Sequence, residues 1–330
     1  RAAEQAIIYV DSTDGDDGRS RSEAALPATP WKTLAHALDN LVYGDTLVLA
    51  TGTWTERLDI RQGGITILGA GSLGSTIVAP GGRRDAIRIR AANVEIRNLV
   101  IEGARRGISL DRHADDIRFE DLVVVNSGRQ GIVIRRAART TLESITITGC
   151  GGAGLYASRA SELLVRNTII TACRRGGMKI SRSSGTIEFS TIHGAGRTGL
   201  RIRGSAELTA RDLIITGHSG WGIHARHRSG QAPTLDHILL GDNTIDLAPA
   251  DFPVGAGVQL ATDPLYFDSD GADNIAGGNG WADDILFLNP DSPAIDRGSG
   301  DAAARGVDTL SALGAGGLPD TGVADMGAHG

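Results

Sequence analysis

Residues 131–153 read GIVIRRAARTTLESITITGCGGA, and residues 154–176 read GLYASRASELLVRNTIITACRRG. Laid one over the other, the two segments agree in character. A glycine opens a short apolar run, a polar turn follows, and further apolar runs flank one small polar residue. Apolar side chains alternate, as Ile132 with Ile134 and Ile145 with Ile147 do, which is the period of a strand and not of a helix. The pattern recurs every 22–24 residues from about residue 85 to 245. One column holds Gly107, Gly131, Gly154, Gly177, Gly199 and Gly222; another holds Asn98, Asp121, Ser144, Asn167, Ser190, Asp212 and Asp236. Units of this size cannot bury an apolar face alone and must stack. Three short strands per unit describe one coil of a parallel β-helix.

Alternation then sets the faces. Ile108, Leu110, Ile117, Phe119, Leu122, Val124, Ile132, Ile134, Ile145, Ile147, Leu200 and Ile202 are expected inside, and a one-residue slip would exchange them for charged neighbours. The 330 residues form one continuous solenoid in three parts: an N-terminal cap over 1–60, coils over 61–247, and irregular final coils with a C-terminal cap over 248–330. In the cap, IIYVD (7–11) reads as a strand and Ser12 to Ala28 as a loop. Thr29 and Pro30 suit an N-cap and first helical position for a helix over about Trp31 to Val42.

Composition sets limits. The net charge of −6 argues against a general nucleic-acid binder, and no apolar run is long enough for a membrane span. RAAEQA at the start carries no signal-peptide core. Only Lys32 and Lys179 are lysines, so arginine carries nearly all the positive charge. In the second column, Asn, Asp and Ser tolerate tight turns and can bond one another from coil to coil, a structural role.

The coils resemble the right-handed parallel β-helix superfamily that includes pectate-lyase-like proteins, and the polar column resembles that family's asparagine ladder. The ends, YVDSTDGDDG…PWKTLAHAL…GDTLVLATGTWTE and DPLYFD…NPDSPAIDRGSGD…GLPDTGVADMGAHG, resemble those of secreted bacterial β-helix proteins. That resemblance implies a right-handed solenoid and a secreted or cell-surface, extracytoplasmic protein. It does not select an activity, because the group mixes lyases, epimerases, hydrolases and surface proteins.

In the lyase-like families the outer face of the glycine-led strand forms the substrate groove. Its outward positions here are Arg88, Ser109, Val133, Tyr156, Lys179, Arg201 and His224, and then Arg90, Asp111, Arg135, Ser158, Ser181, Arg203 and Arg226. Seven of the fourteen are Arg or Lys, against a tenth of the whole chain. A cationic stripe on an acidic protein suits an extended anionic ligand, such as an acidic polysaccharide or cell-surface glycan. Arg88, Arg90, Arg135, Arg201, Arg203 and Arg226 are the expected ligand contacts, with Trp221 as a stacking platform. A solvated face of arginine stems is the alternative. Arg105, Arg106, Arg129, Arg174, Arg175, Arg197, His193 and His218 are expected in the adjoining wall.

β-Elimination on a uronate needs a cation on the carboxylate and a base for the neighbouring proton. Lys179, crowded by Arg201 and Arg203, is the candidate base, with Tyr156 or His224 in its place. The paired Asp motifs and Gly-His-Gly of polygalacturonases are absent, as is the Tyr-Gly-aromatic-Asp-Pro-His run of alginate epimerases. Asp268, Asp270 and Asp273, or Asp11, Asp14, Asp16 and Asp17, can wrap calcium, although ordinary Asp-Gly turns read alike. Cys150 and Cys173 each follow their ladder residue by six, which places them on adjacent coils within disulfide reach. An exported chain would oxidise them, while an intracellular one would keep two thiols. Two function classes stand: an extracellular protein that binds, and can cleave or epimerise, an acidic polysaccharide, or a non-catalytic surface, adhesive or structural β-helix.

Overall fold

The computed structural model describes residues 5–71, 74–204, 207–226, 232–268, 285–305 and 323–327. Two parallel sheets run its length, one of twelve strands and one of nine. Each regular coil contributes one long strand to the first sheet and one short strand to the second. Long strands include Ile117–Val125, Thr140–Thr148 and Leu163–Thr171; short ones include Ile108–Leu110, Ile132–Arg135 and Gly176–Ser181. Ile117 pairs with Thr140 and Thr141 with Leu164, so a coil takes about 23 residues.

Each regular long strand bends in its middle at a residue with positive φ, and that bend turns one strand into two of the coil's three faces. The bend residues are Asn98, Asp121, Ser144, Asn167, Phe189, Asp212 and His237. The last coils correct the sequence column by one position. Glu188 pairs with Arg211 and Arg211 with Asp236, so Phe189 and His237 occupy the bend, and Ser190 and Asp236 flank it. One rung of the expected ladder is made, with Asn167 Nδ2 donating to Ser144 Oγ at 3.2 Å. At the next coil the column gives way to an aromatic ring.

All twelve side chains expected inside are buried, in one core cluster that runs the length of the rod. Each fully buried Ile, Leu or Phe contributes about 1.5–3 kcal/mol. The glycine column follows from the same packing. A Cβ at Gly177 would lie 2.2 Å from Ile192 Cγ2 and 2.8 Å from the Gly199 carbonyl, and one at Gly154 would lie 2.6 Å from Ile170 Cγ2. Here the corner brings one strand's backbone against the side chains of another face, so glycine is required by close approach.

At the N-terminus Ile7–Val10 pairs with Thr46–Leu49. The cap helix is shorter than expected, Leu34–Asn40, and its N-cap is Thr33. Trp31 is drawn into the sheet instead. Its N–H donates to the Tyr9 carbonyl, its carbonyl accepts from Asp11 N, and its indole N–H donates to Arg19 O. That pairing holds the chain extended through Pro30 and Trp31. A second short helix, Arg21–Ala24, stands where a loop was expected, closed by a Ser20–Glu23 capping box.

Past the last coil the chain returns along the flank. Ser299 donates its backbone N–H and its hydroxyl to the Asp212 carboxylate, both at 2.6 Å, and Gly327 N donates to the Asp212 carbonyl. Ala302 and Ala324 cover the Phe189 ring, which lies between the Arg166 and Arg305 guanidinium groups at 5.6 Å from each. This cover accounts for a bulky side chain at a left-handed position, where it is otherwise unfavourable.

Candidate functional site: a basic strand face

The outer face of the nine-stranded sheet carries the two expected columns in the expected register. Arg88 pairs with Ser109, Ser109 with Val133, Val133 with Tyr156, Tyr156 with Lys179, Lys179 with Arg201, and Arg201 with His224. Arg135, Ser158, Ser181, Arg203 and Arg226 follow one another in the second column. Neighbours along a column therefore stand roughly 4.8 Å apart.

The stripe is not uniform. Arg88 makes two hydrogen bonds to Asp111 Oδ2, at 3.0 and 2.5 Å, and Arg90 reaches Asp59 at 3.1 Å. Asp111 holds the Arg88 guanidinium above its ordinary range. In the wall, Asp85 accepts from Ser109 Oγ at 2.8 Å and pairs with Arg106 at 3.4 Å. Arg88 and Arg90 are thus committed to carboxylates, and Ser109 and Val133 are buried. An open groove of about 730 Å³ lies over this end, lined by seven arginines, among them Arg105, Arg106, Arg135 and Arg159, and by Asp85 and Asp111.

Further along, cation stands beside cation, Lys179 paired with Arg201 and Arg203 with Arg226. Tyr156 lies between two cations, with the Arg135 guanidinium 5.6 Å and the Lys179 ammonium 5.4 Å from its ring centroid. Burial, with Arg203 and Arg226 nearby, pulls the Arg201 guanidinium below its usual range. His224 is 7% exposed and packs against Trp221 with centroids 4.6 Å apart and the rings tilted by 41°. Its Nε2 accepts from Arg226 Nε at 3.0 Å. That contact makes the ring an acceptor for an arginine, which limits its use as a base.

The twelve-stranded sheet provides the contrast. Arg97, Arg118, Arg166 and Arg211 alternate with Glu95, Glu120, Glu143 and Glu188, and pairs such as Arg118–Glu143 at 2.7 Å and Arg211–Glu188 at 2.6 Å cancel the field there. Such pairs add little stability individually. Their effect is to leave the short-strand face as the basic one.

Several expected wall and metal residues stand elsewhere. His218 is buried in the corner, its ring nitrogens 3.1 and 3.2 Å from the Ala195 and Ile192 carbonyls, and burial pulls it down to about 4. His193 bonds Thr216 and packs edge-on to Tyr266 on another face. Asp11 and Asp16 accept backbone N–H groups of their own turns, and Asp17 accepts from Lys32 N, Thr33 N and Thr33 Oγ1. These acids cap turns and a helix start and do not converge on a cation. The carboxylates of Asp268, Asp270 and Asp273 lie outside the described residues. Among the described residues no group of three metal-ligating side chains occurs, and no helix is long and apolar enough to cross a membrane.

Cys150 and Cys173 do stand on adjacent coils, since Arg174 N donates to the Cys150 carbonyl at 2.7 Å. Both are buried thiols in the structure. The hydrogen bond between the two sulfurs, and burial, push the Cys173 thiol well up.

Sequence reasoning missed Asp59 and Asp85. Asp85 stands one coil before Arg106, whose carbonyl accepts from Ala86 N, so an acid one repeat away from a wall arginine was the available signal.

Residues 85–245 match the family described as the right handed beta helix region, and the described residues have the right-handed parallel β-helix fold. It is similar to the crystal structure of pectate lyase Pel9A, at a TM-score of 0.56 and 13% identity over 98% of this chain and 97% of that one. It is also similar to the catalytic unit of a GH87 α-1,3-glucanase from Streptomyces thermodiastaticus strain HF3-3, at a TM-score of 0.52 and 13% identity over 68% of this chain and half of that one. The complex of XylC with xylose matches at a TM-score of 0.52 and 9% identity, over 78% and 68%. These likenesses establish the fold. No curated protein sequence matches the chain.

Proposed function

We propose that this protein binds an acidic polysaccharide along the short-strand face, as an extracytoplasmic β-helix. The observation that carries the reading is the run Lys179, Arg201, Arg203 and Arg226 on three successive strands, flanked by Tyr156 and Trp221, on a protein of net charge −6. Guanidinium groups suit bidentate contact with carboxylate or sulfate, and the aromatic rings suit sugar faces. The fold neighbours include a pectate lyase and a glucanase, which supports a carbohydrate ligand. Binding is favoured over turnover because His224 is engaged by Arg226, and Lys179 and Tyr156 contact each other.

A panel of uronate and sulfated polysaccharides, assayed for binding and for unsaturated product, tests this. Binding that weakens steeply as salt rises from 50 to 500 mM is expected, because exposed charge contacts are screened. No binding across the panel at low salt would transfer the protein to the non-catalytic structural class. Unsaturated product lost on replacing Lys179 would make the face a lyase site.

Export would also close the thiol pair. We expect Cys150 and Cys173 to bridge in an oxidising compartment. Thiol titration of the denatured, unreduced protein is expected to find no reactive thiol, and two would refute the bridge.

A further inference from the structure

His224 is the titratable group at the centre of the cation cluster, and its contacts tie its protonation to whatever fills the cluster. The ring is 7% exposed, and its Nε2 accepts from Arg226 Nε at 3.0 Å. The proton of the neutral ring therefore sits on Nδ1, which is buried without a partner. Arg201 Nε is buried without a partner as well.

The groups facing the ring are few. Arg201 and Arg203 face it from the preceding strand, and Arg226 and Trp221 from its own. Lys179 lies one coil beyond Arg201. On the following strand its neighbour is Ala248, while the Asp246 carboxylate is held by Asn243 Nδ2 at 2.9 Å and Ala261 N at 2.7 Å. The charged side chains paired with the ring or next to it on these strands, Arg201, Arg203 and Arg226, are all cationic. Burial and those three guanidinium groups hold the imidazole below its ordinary range, which favours the neutral ring while the cluster is empty.

We propose that Lys179, Arg201, Arg226 and His224 form a proton-coupled oxyanion site, in which seating one carboxylate or sulfate group of a chain ligand brings a proton onto His224 Nε2. This deepens the polyanion reading of the face and rests on it. The proton comes from solvent. Nε2 then ceases to accept, and Arg226 Nε–H turns from the ring to a ligand oxygen. The ring becomes a further cation beside the bound anion, and each binding event takes up as much as one proton. Because the ring titrates higher in the filled site than in the empty one, affinity rises as pH falls through the filled-site value. Below the empty-site value it is level.

The test is an NMR titration of ¹³C-labelled histidine, with His224 assigned from the His224→Gln spectrum. It is run in chloride buffer, with inorganic sulfate, and with a galacturonate oligomer. Either anion is expected to raise the His224 midpoint by half a unit to one unit. That corresponds to about three- to tenfold tighter binding at pH below the empty-site midpoint than above the filled-site one, a gain His224→Gln abolishes. A midpoint unmoved by both anions overturns the proposal. A shift with sulfate alone assigns sulfate chemistry to the ligand, and one with the oligomer assigns uronate chemistry. The two readings fail separately. If sulfate moves His224 but no polysaccharide binds, the site stands and the polysaccharide reading falls. If polysaccharides bind with affinity flat across those midpoints, that reading stands and the proton-coupled site falls.

Discussion

Alanine at Gly177 is expected to destabilise this protein by about 2–4 kcal/mol, at the upper end for overpacking in a close-packed core. The added Cβ would sit 2.2 Å from Ile192 Cγ2 and 2.8 Å from the Gly199 carbonyl, and only the first of these belongs to a side chain that can turn away. The carbonyl belongs to the next coil, so relief requires opening the spacing between coils. In a solenoid that spacing is shared with the ladder hydrogen bonds on both sides, and the strain spreads along the rod. Gly128→Ala is the control. A Cβ there would meet only the Ala104 carbonyl at 3.8 Å, and the change is expected to stay within about 0.5 kcal/mol. Urea midpoints for the two variants decide it. Equal losses would mean that the glycine column reflects composition and not packing.

Charge reversal at Arg201 and Arg203 is expected to weaken polysaccharide binding by about tenfold to a hundredfold at low salt while the fold survives. Each reversal removes an attraction and adds a repulsion, and exposed charge contacts are worth up to about 1 kcal/mol apiece. The variant Arg201→Glu/Arg203→Glu also relieves crowding against Arg226, which offsets the lost packing of two aliphatic stems. Calorimetry or a surface-binding assay at 50 mM salt measures the effect, and thermal unfolding reports the fold. If the double variant binds every acidic polysaccharide as well as its parent, the face is not the site. Reversal at Arg88 and Arg90 is expected to do less, because Asp111 and Asp59 already hold those guanidinium groups.

The amino-acid sequence by itself determined the coil, its period, and the side of each strand that faces water. Those properties are local and repeated: alternation over a few residues sets inside and outside, and seven coils state the same pattern independently. Leu200 and Ile202 fell inside, and Arg201 and Arg203 outside, for that reason. The sequence failed where coils change length or where a residue's partner lies one coil away. The repeat shortens to 22 residues between Leu163 and Gly185 and lengthens to 25 between Thr209 and Thr234, so the bend fell on Phe189 and His237, each beside the polar residue the repeat pointed to. Only the tertiary structure decided which cations of the stripe are paired with carboxylates. Stacking set Asp111 against Arg88, Asp59 against Arg90 and Asp85 against Arg106, and left Arg201 among like charges with His224 beside it. Charge pairing is settled by distances of a few ångströms between residues more than twenty positions apart, and no pattern within one coil carries that information.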